Sequence, residues 1–316
     1  MTISLAKEDF IRHCRIEKNL SSKTLAAYTT DLKQFSIFLI DQAISDIHSI
    51  SKVELRSFLE YLSKLKPKSI KRKIATLKAM FNYLEFEDAI AVNPFRKMRL
   101  QIKESKRLPN VMTVNEIAKL LKIAYQEKHQ RTDKSSYRHY EAVRNIVVLE
   151  LLFGTGARVS EIATLRIENI DLSGRIKFQG KGDKERILHI CNKETLSILR
   201  EYRILMLNRP NKAPSYFLHN RLGGRLSDQS IRNLVQTISR RAGFGKNVTP
   251  HMFRHTFATL LLDKDVDIKY IQSLLGHSSI VTTQIYTHVS RAKQRKILQS
   301  KHPRRHLEIT SMCGHE

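Results

Sequence analysis

The spacing of apolar residues constrains this chain more than any other feature. Between residues 20 and 40, apolar side chains recur at steps of three and four, at Leu25, Tyr28, Leu32, Phe35 and Leu39. This spacing places them on one face of an α-helix, which must be buried against other elements. Residues 68–86 repeat the pattern. The first hundred residues therefore predict a helical domain with a core of its own.

One short region departs from the helical spacing. The sequences RIKFQ (175–179) and RILHI (186–190) indicate two strands, and the intervening GKGDKE predicts a hairpin turn. Residues 142–154 are apolar enough for a buried helix, whereas the polar stretch 126–141 predicts a loop. Helical spacing resumes after the hairpin and continues to about residue 300. We expect a mainly α fold with a small antiparallel β-sheet in its second half.

The predicted domain boundary lies in a basic stretch without sustained periodicity. Residues 93–111 contain two prolines and many basic side chains, which is typical of a linker. Thr113 and Glu116 then have the spacing of a capping box, as Ser51 and Glu54 have earlier. The sequence predicts a first domain over 1–103, a basic linker over 104–112, a second domain over 113–300 and a tail over 301–316.

The charge of the chain favours a polyanionic partner. Its 56 Lys and Arg against 30 Asp and Glu give a net charge of +26 over 316 residues. Nucleic acid is the leading candidate, and a generally basic surface or an anionic membrane surface are the alternatives. No apolar run is long enough to span a bilayer. One helix carries a run of cations that we predict to contact DNA: Lys68, Lys71, Arg72, Lys73 and Lys78.

The cysteines and the N-terminus indicate a cytoplasmic protein. Cys14, Cys191 and Cys313 are scattered and odd in number, so they form neither a disulfide framework nor a zinc spacing. The first residues lack the apolar segment of a signal peptide. We therefore expect a reducing, intracellular environment.

Four short motifs carry residues suited to chemistry on an anion. Arg158 follows a glycine turn in GTGARVSE, although a surface ion pair with Glu161 would also explain it. Lys181 lies in the hairpin turn, where lysines commonly serve solubility. His251 and Arg254 share a helix face. His277 and Tyr286 lie in LLGHSSIVTTQIYTHV, and Tyr286 alone would be read as a core residue.

A metal site is not expected. His251 and His255 have the HxxxH spacing, but Met252 stands where the helical metalloprotease motif has Glu. The sequence also lacks the glycine-rich phosphate loop of nucleotide-driven enzymes. We predict a protein that uses no cofactor and no metal.

Together these motifs resemble the tyrosine recombinase (phage integrase) family, and within it the Xer-type recombinases. The matching stretches are GTGARVSEIATL, GKGDKER, HMFRHTFAT, LLGHSSIVTTQIYTHV and HPR, in the family's order and spacing, and the resemblance covers about residues 5–305. It implies an N-terminal helical DNA-clamp (SAM-like) domain and a C-terminal α+β catalytic domain. It also implies a set of roles: phosphate-gripping arginines Arg158 and Arg254, a proton donor Lys181, histidines His251 and His277, the nucleophile Tyr286, and the supporting acid Glu161.

The resemblance also implies partners. These are double-stranded DNA recombination sites and a homotetramer on two duplexes, in which the tail docks onto a neighbouring subunit; no membrane is involved. A second recombinase or accessory protein is left open, and so is the choice among dimer resolution, integration with excision, and transposon resolution. A type IB topoisomerase and a non-catalytic DNA-binding regulator remain the alternatives.

Overall fold

The computed structural model describes residues 1–103, 110–180, 185–209 and 215–276. The contacts divide the chain into two compact units, one within residues 1–106 and the other within residues 107–316. Each unit has its own cluster of buried apolar side chains. The two are described separately below.

The N-terminal unit is built from helices whose apolar faces meet in one core. They are α1 (Ile3–Ile16), α2 (Ser22–Asp41), α3 (Lys52–Tyr61) and α4 (Pro67–Phe86). The apolar face predicted for α2 is confirmed, because Leu32, Phe35 and Leu39 are buried. The capping box predicted at the start of α3, between Ser51 and Glu54, is also present.

The core of each unit extends toward the stretch that connects them. Phe95 and Met98 follow α4 and are still buried in the N-terminal core. Met112 is buried in the C-terminal core, where its backbone N–H donates to Thr256 Oγ1 at 2.8 Å. The predicted linker, residues 104–112, therefore ends inside the C-terminal core; its residues 104–109 lie outside the described residues.

The C-terminal unit surrounds a central helix, α6. This helix packs against α5, α8 and α10, and side chains such as Val143, Ile146 and Leu149 are fully buried. The helices are α5 (Val114–His129), α6 (Tyr137–Thr155), α7 (Val159–Ala163), α8 (Lys193–Leu207), α9 (Asp228–Arg241), α10 (Pro250–Asp263) and α11 (Ile268–Leu275). Among the described residues, no helix is both long and apolar enough to cross a membrane.

The predicted antiparallel sheet is confirmed. Strand β1 (Arg175–Gln179) pairs with β2 (Glu185–His189), with Arg175 opposite His189 and Gln179 opposite Glu185. Strand β2 also contacts α11. The sheet therefore packs against α11, the helix whose last residues begin the LLGH motif.

The loop predicted over residues 126–141 is largely wrong. Helix α5 continues to His129 and α6 begins at Tyr137, so only residues 130–136 connect them. The polar stretch still forms helix because Ser136 caps α6 by accepting from the backbone N–H of His139. Tyr140 is then buried in the core, and its hydroxyl forms a hydrogen bond of 2.8 Å with that of Tyr202.

Candidate active site

The turn between α6 and α7 places Arg158. Helix α6 ends at Gly156, whose φ of +58° is a left-handed conformation that favours glycine. A Cβ at this position would lie 2.6 Å from Phe257 Cδ1 of α10. Glycine therefore permits both the turn and the close approach of α10, and Arg158 follows as the N-cap residue of α7.

Glu161 orients Arg158 through two hydrogen bonds. The backbone N–H of Arg158 donates to Glu161 Oε2 at 2.7 Å, and its Nη1 donates to Oε1 at 2.8 Å. The Glu161 side chain is only 5% exposed, whereas that of Arg158 is 36% exposed. The pair is thus a buried carboxylate holding a guanidinium that still reaches solvent, which is not the geometry of an ordinary surface ion pair.

Arg254 is fixed by two backbone carbonyls. It lies on α10 and is buried, with Nη1 donating to Gly156 O at 2.8 Å and Nη2 donating to Leu275 O at 2.7 Å. These bonds join the turn before Arg158 to the last turn of α11. A guanidinium held in this way keeps its orientation without any bound ligand.

The two arginines meet at the C-terminal end of α11. Arg158 Nη2 donates to Gly276 O at 3.3 Å, one residue after the carbonyl that accepts from Arg254. The structure therefore brings Arg158 and Glu161, which share one motif, to the same helix end as Arg254, which lies in a motif much later in the chain. Two guanidiniums side by side suit a group with two anionic oxygens, such as a phosphodiester.

His251 lies one helical turn before Arg254. It is exposed near the start of α10, which begins after the cap residue Thr249. His255, one turn later, is half-buried, and burial lowers its pKa, with further lowering from His251 and Arg254. No third His, Cys, Asp or Glu joins these histidines in a metal-binding group within the described ranges.

Sequence reasoning missed Arg186. Its side chain on β2 is 10% exposed and bridges Glu161, with Nη1 donating to Oε1 at 2.9 Å and Nη2 to Oε2 at 2.8 Å. Its guanidinium carbon also lies 5.0 Å from the ring centroid of Phe178, the residue opposite it on β1. The strand alternation offered a signal, because Arg186 shares its face with the buried Leu188 while Ile187 points outward.

Glu161 remains a carboxylate despite its burial. Burial by itself would raise the pKa of Glu161, but the bonds and charge of Arg186, followed by the bonds from Arg158, lower it overall. A charged acceptor between two guanidiniums is consistent with this direction. The two arginines together keep Glu161 charged.

Three predicted site residues lie outside the described residues: Lys181, His277 and Tyr286. The chain on either side of them is described. Strand β1 ends at Gln179 and β2 begins at Glu185, around the segment that contains Lys181. Gly276, which directly precedes His277, caps α11 with a φ of +65°.

The cations predicted to contact DNA lie on α4 and differ in exposure. Lys68, Lys71 and Arg72 are exposed. Lys78 is partly buried, with its Nζ 5.8 Å from the ring centroid of Phe95. Lys73 is 7% exposed, and it carries a separate role.

Lys73 is held in the interior by a buried carboxylate. Its Nζ donates to Asp31 Oδ1 at 2.9 Å, and the hydroxyl of Thr76 donates to Asp31 Oδ2 at 3.1 Å. The Lys73 side chain is itself only 9% exposed, so its ammonium is not accessible to a phosphate at the surface. The burial argues against a DNA contact by Lys73 and gives it a structural role; helical spacing alone had not separated it from its exposed neighbours.

The model of the phage integrase N-terminal SAM-like domain matches residues 8–88, and that of the phage integrase family matches residues 99–293. The chain belongs to the phage integrase family. Tyrosine recombinases of this family cleave and rejoin DNA, so this phage integrase family member is an enzyme of that class.

Curated relatives match this family member along nearly its whole length. A tyrosine recombinase of Agathobacter rectalis is 43% identical over 298 residues, covering 94% of this chain and 95% of the relative. The tyrosine recombinase XerC of Oceanobacillus iheyensis is 35% identical over 308 residues, covering 96% and 97%. Both the N-terminal and the C-terminal unit therefore have counterparts in these relatives.

Solved structures share the fold. The XerH site-specific recombinase, in a post-cleavage complex with palindromic difH, is 25% identical with a TM-score of 0.74, covering 93% of this chain and 84% of that one. A lambda integrase dimer on a COC′ core site is 19% identical with a TM-score of 0.67, covering 89% and 97%. The expected helical N-terminal domain and mainly helical catalytic domain are confirmed for this phage integrase family member.

Proposed function

We propose that this protein is a site-specific DNA recombinase that cleaves and rejoins strands through a 3′-phosphotyrosine formed by Tyr286. One observation carries the proposal: Arg158 and Arg254 donate to the consecutive carbonyls of Gly276 and Leu275. Leu275 and Gly276 are the first two residues of the LGH motif, and His277 follows them directly. The phosphate grip is thus built on the segment that leads to the nucleophile.

The two guanidiniums offset the negative charge that makes a phosphodiester resistant to nucleophilic attack. A phosphodiester is already negative and repels nucleophiles, and more charge develops on its oxygens in the transition state. Arg254, fixed by Gly156 O and Leu275 O, and Arg158, fixed by Glu161, supply preorganised positive charge there. Their charge also favours the phenolate of Tyr286, whose ordinary pKa is about 10.

The proton transfers fall to Lys181, His251 and His277. Lys181 is the proposed acid for the departing sugar oxygen, and the two histidines donate to the phosphate or relay protons. The tyrosyl ester conserves the energy of the broken bond, so rejoining requires no nucleotide. Of these groups, His251 is exposed one turn before Arg254, which suits contact with a substrate entering from solvent.

DNA is the proposed partner of both units. The exposed cations of α4, Lys68 and Lys71 among them, support backbone contact by the N-terminal unit. XerH, which resembles this chain along most of its length, was solved with its difH site. We expect affinity for duplex DNA to fall steeply with salt concentration; a flat dependence would contradict a phosphate-dominated interface.

We further propose that four copies assemble on two duplexes and pass through a Holliday junction, with residues 301–316 docking onto a neighbouring subunit. The reaction takes place in the cytoplasm, and the free thiols of Cys14 and Cys191 suit a reducing compartment. Removal of the residues after Ser290 should preserve DNA binding and impair recombination. A type IB topoisomerase would instead relax supercoils without defined sites.

Trapping the covalent intermediate tests the proposal. Binding sites would first be selected from a random duplex pool, and the best would be nicked near its centre so that cleavage cannot be reversed. The full-length protein should form an adduct that survives denaturing electrophoresis, and Tyr286→Phe should form none while still binding the site. Tyr270→Phe is the matched control, because Tyr270 is 70% exposed on α11 and should not alter the adduct.

Two results would sink the proposal. If the wild-type protein forms no adduct on any selected site, the protein is a DNA-binding protein without recombinase chemistry. If Tyr286→Phe still forms the adduct, the nucleophile is another residue. Peptide mapping of the adduct would identify that residue.

A further inference from the structure

Arg186 lies at the centre of contacts that join three elements of the catalytic unit. It lies on β2, donates to both oxygens of Glu161 in α7, and donates from Nε to Leu274 O of α11 at 2.9 Å. Three donors of one guanidinium are therefore committed to two acceptor groups. The rigid fork of arginine matches this demand, and a lysine could not meet it.

The carboxylate that Arg186 holds is the one that orients Arg158. Glu161 Oε1 accepts from both Arg158 Nη1 and Arg186 Nη1, at 2.8 Å and 2.9 Å. Glu161 Oε2 accepts from the Arg158 backbone and from Arg186 Nη2. Both oxygens of Glu161 thus accept from both arginines. The position of Glu161 therefore depends on Arg186, and the position of Arg158 depends on Glu161.

Arg186 also supports the end of α11. A Cβ on Gly276 would lie 3.2 Å from both Cδ and Nη1 of Arg186, so the chain passes directly over this side chain. Gly276 O and Leu275 O are the carbonyls that accept from Arg158 and Arg254. Arg186 thus contacts Glu161 and lies against Gly276, which both bond Arg158. It also bonds Leu274, the residue before the carbonyl that accepts from Arg254.

We propose that Arg186 is a positioning residue for DNA cleavage, which holds Glu161 and the last turn of α11 so that Arg158 presents its guanidinium to the scissile phosphate. This rests on the proposed recombinase function. Without Arg186, Glu161 would have Arg158 as its remaining cationic partner in these contacts, and the Arg158 guanidinium would be drawn toward the carboxylate. The phosphate would then lose part of the charge that stabilises the transition state.

The test measures how fast the covalent adduct forms, in single-turnover reactions on a nicked selected site with saturating full-length protein. Arg186→Gln should slow the adduct on the order of 10²-fold, the size expected when a catalytic group is misplaced by about 1 Å. DNA affinity should be unchanged. Arg186→Lys should also be slow, because an ammonium cannot span both Glu161 oxygens and Leu274 O.

Arg200→Gln provides a matched control for loss of a positive charge in the same unit. Arg200 is exposed on α8 and donates to a backbone carbonyl, Leu172 O, at 3.2 Å. This variant should cleave at the wild-type rate. Thermal unfolding of each variant would separate loss of fold from loss of chemistry.

A double-mutant cycle separates positioning through Glu161 from a general structural effect. If Arg186 acts through Glu161, then Arg186→Gln should cause little further loss in a Glu161→Gln background. Losses that multiply would overturn positioning through Glu161, and an Arg186→Gln protein that cleaves at the wild-type rate would overturn the proposal as a whole.

The remaining outcomes are also decisive. Should Arg186→Gln fail to fold, the charge-retaining Arg186→Lys decides, because a folded Lys variant with wild-type cleavage refutes the requirement for a fork. A wild-type protein that forms no adduct removes the recombinase function itself. If the wild-type protein cleaves and the Arg186→Gln variant cleaves equally fast, only the positioning role of Arg186 is refuted, and the recombinase function stands.

Discussion

A buried carboxylate in each unit holds one buried and one partly exposed cation. In the N-terminal unit the carboxylate is Asp31, whose side chain is 0% exposed. Its buried partner is Lys73, 9% exposed at the side chain, and its outer partner is Arg72, 47% exposed and 2.8 Å from Asp31 Oδ2. The cluster joins α2 to α4 inside the helical core.

The catalytic unit repeats this arrangement with a different outcome. Glu161 is 5% exposed, its buried partner Arg186 is 10% exposed, and its outer partner Arg158 is 36% exposed. Here the outer cation also donates to Gly276 O, beside the carbonyl that holds Arg254. The ion pairs are alike in burial and length, so they do not by themselves identify an active site. What distinguishes the catalytic unit is that two guanidiniums, those of Arg158 and Arg254, both bond the C-terminal end of α11.

The largest expected effect is a difference in cleavage rate between variants of the two outer cations, Arg158 and Arg72. Arg158→Lys should lower the rate of adduct formation by about 10²–10³-fold, equivalent to about 2.7–4 kcal/mol, because an ammonium cannot bond Glu161, Gly276 O and a phosphate in one plane. Arg72→Lys, at the matching position of the other cluster, should cleave at the wild-type rate. Equal losses in the two variants would mean that the clusters do not differ in function.

The two clusters should also differ in what loss of the buried cation does to folding. Lys73→Met leaves Asp31 buried with less compensation, which should lower the free energy of unfolding by about 3 kcal/mol, the lower end for a broken buried pair because Arg72 remains. Urea unfolding would measure this. Lys68→Met, on the exposed side of α4, should unfold like the wild type. A stable Lys73→Met protein would show that the Asp31 cluster is not needed for the N-terminal core.

The smallest effect concerns a third buried carboxylate, Glu150 of α6. Its oxygens accept from hydroxyls, Tyr125 Oη at 3.2 Å and Thr195 Oγ1 at 2.9 Å, and burial raises its pKa. The folded state therefore favours the protonated acid, and this contribution to stability is lost as pH rises from the unfolded pKa through the raised folded pKa. As the pH rises from acidic to neutral, the free energy of unfolding of Glu150→Gln should therefore increase relative to that of the wild type.

Denaturant unfolding of both proteins at several pH values would measure this difference. An unchanged difference between the two proteins across the range would mean that Glu150 does not titrate differently in the folded state. The contrast with Glu161, which is held by arginines and has a lowered pKa, would then lose its basis.

Much of the fold could be predicted because each unit obeys periodic rules. The apolar faces of α2 and α4, the capping boxes before α3 and α5, and the β1–β2 hairpin all follow from local spacing. The stretch 126–141 was misread because its few apolar anchors, such as Tyr140, are separated by many polar residues. Local composition dominated there, whereas burial and a serine cap decided the structure.

The site was less accessible to sequence reasoning, since it depends on which side chains face inward. Arg158, Glu161 and Arg254 could be found because they stand in short motifs, and the structure brings them together. Arg186 was placed in the predicted strand 186–190 but given no role, although strand alternation places it on the same face as the buried Leu188. Lys73 was grouped with its neighbours because charge patterns do not show that a buried aspartate lies 42 residues earlier in the chain.

The last turn of α11 has a consequence for how the enzyme would be switched on and off. Leu275 O and Gly276 O belong to adjacent peptide units, and each fixes a different arginine. A single change in the backbone there would therefore alter one contact of Arg254 and one contact of Arg158 together. The positions of the two arginines thus depend on the same helix terminus. A signal that changes a few backbone dihedral angles at that terminus would affect both arginines.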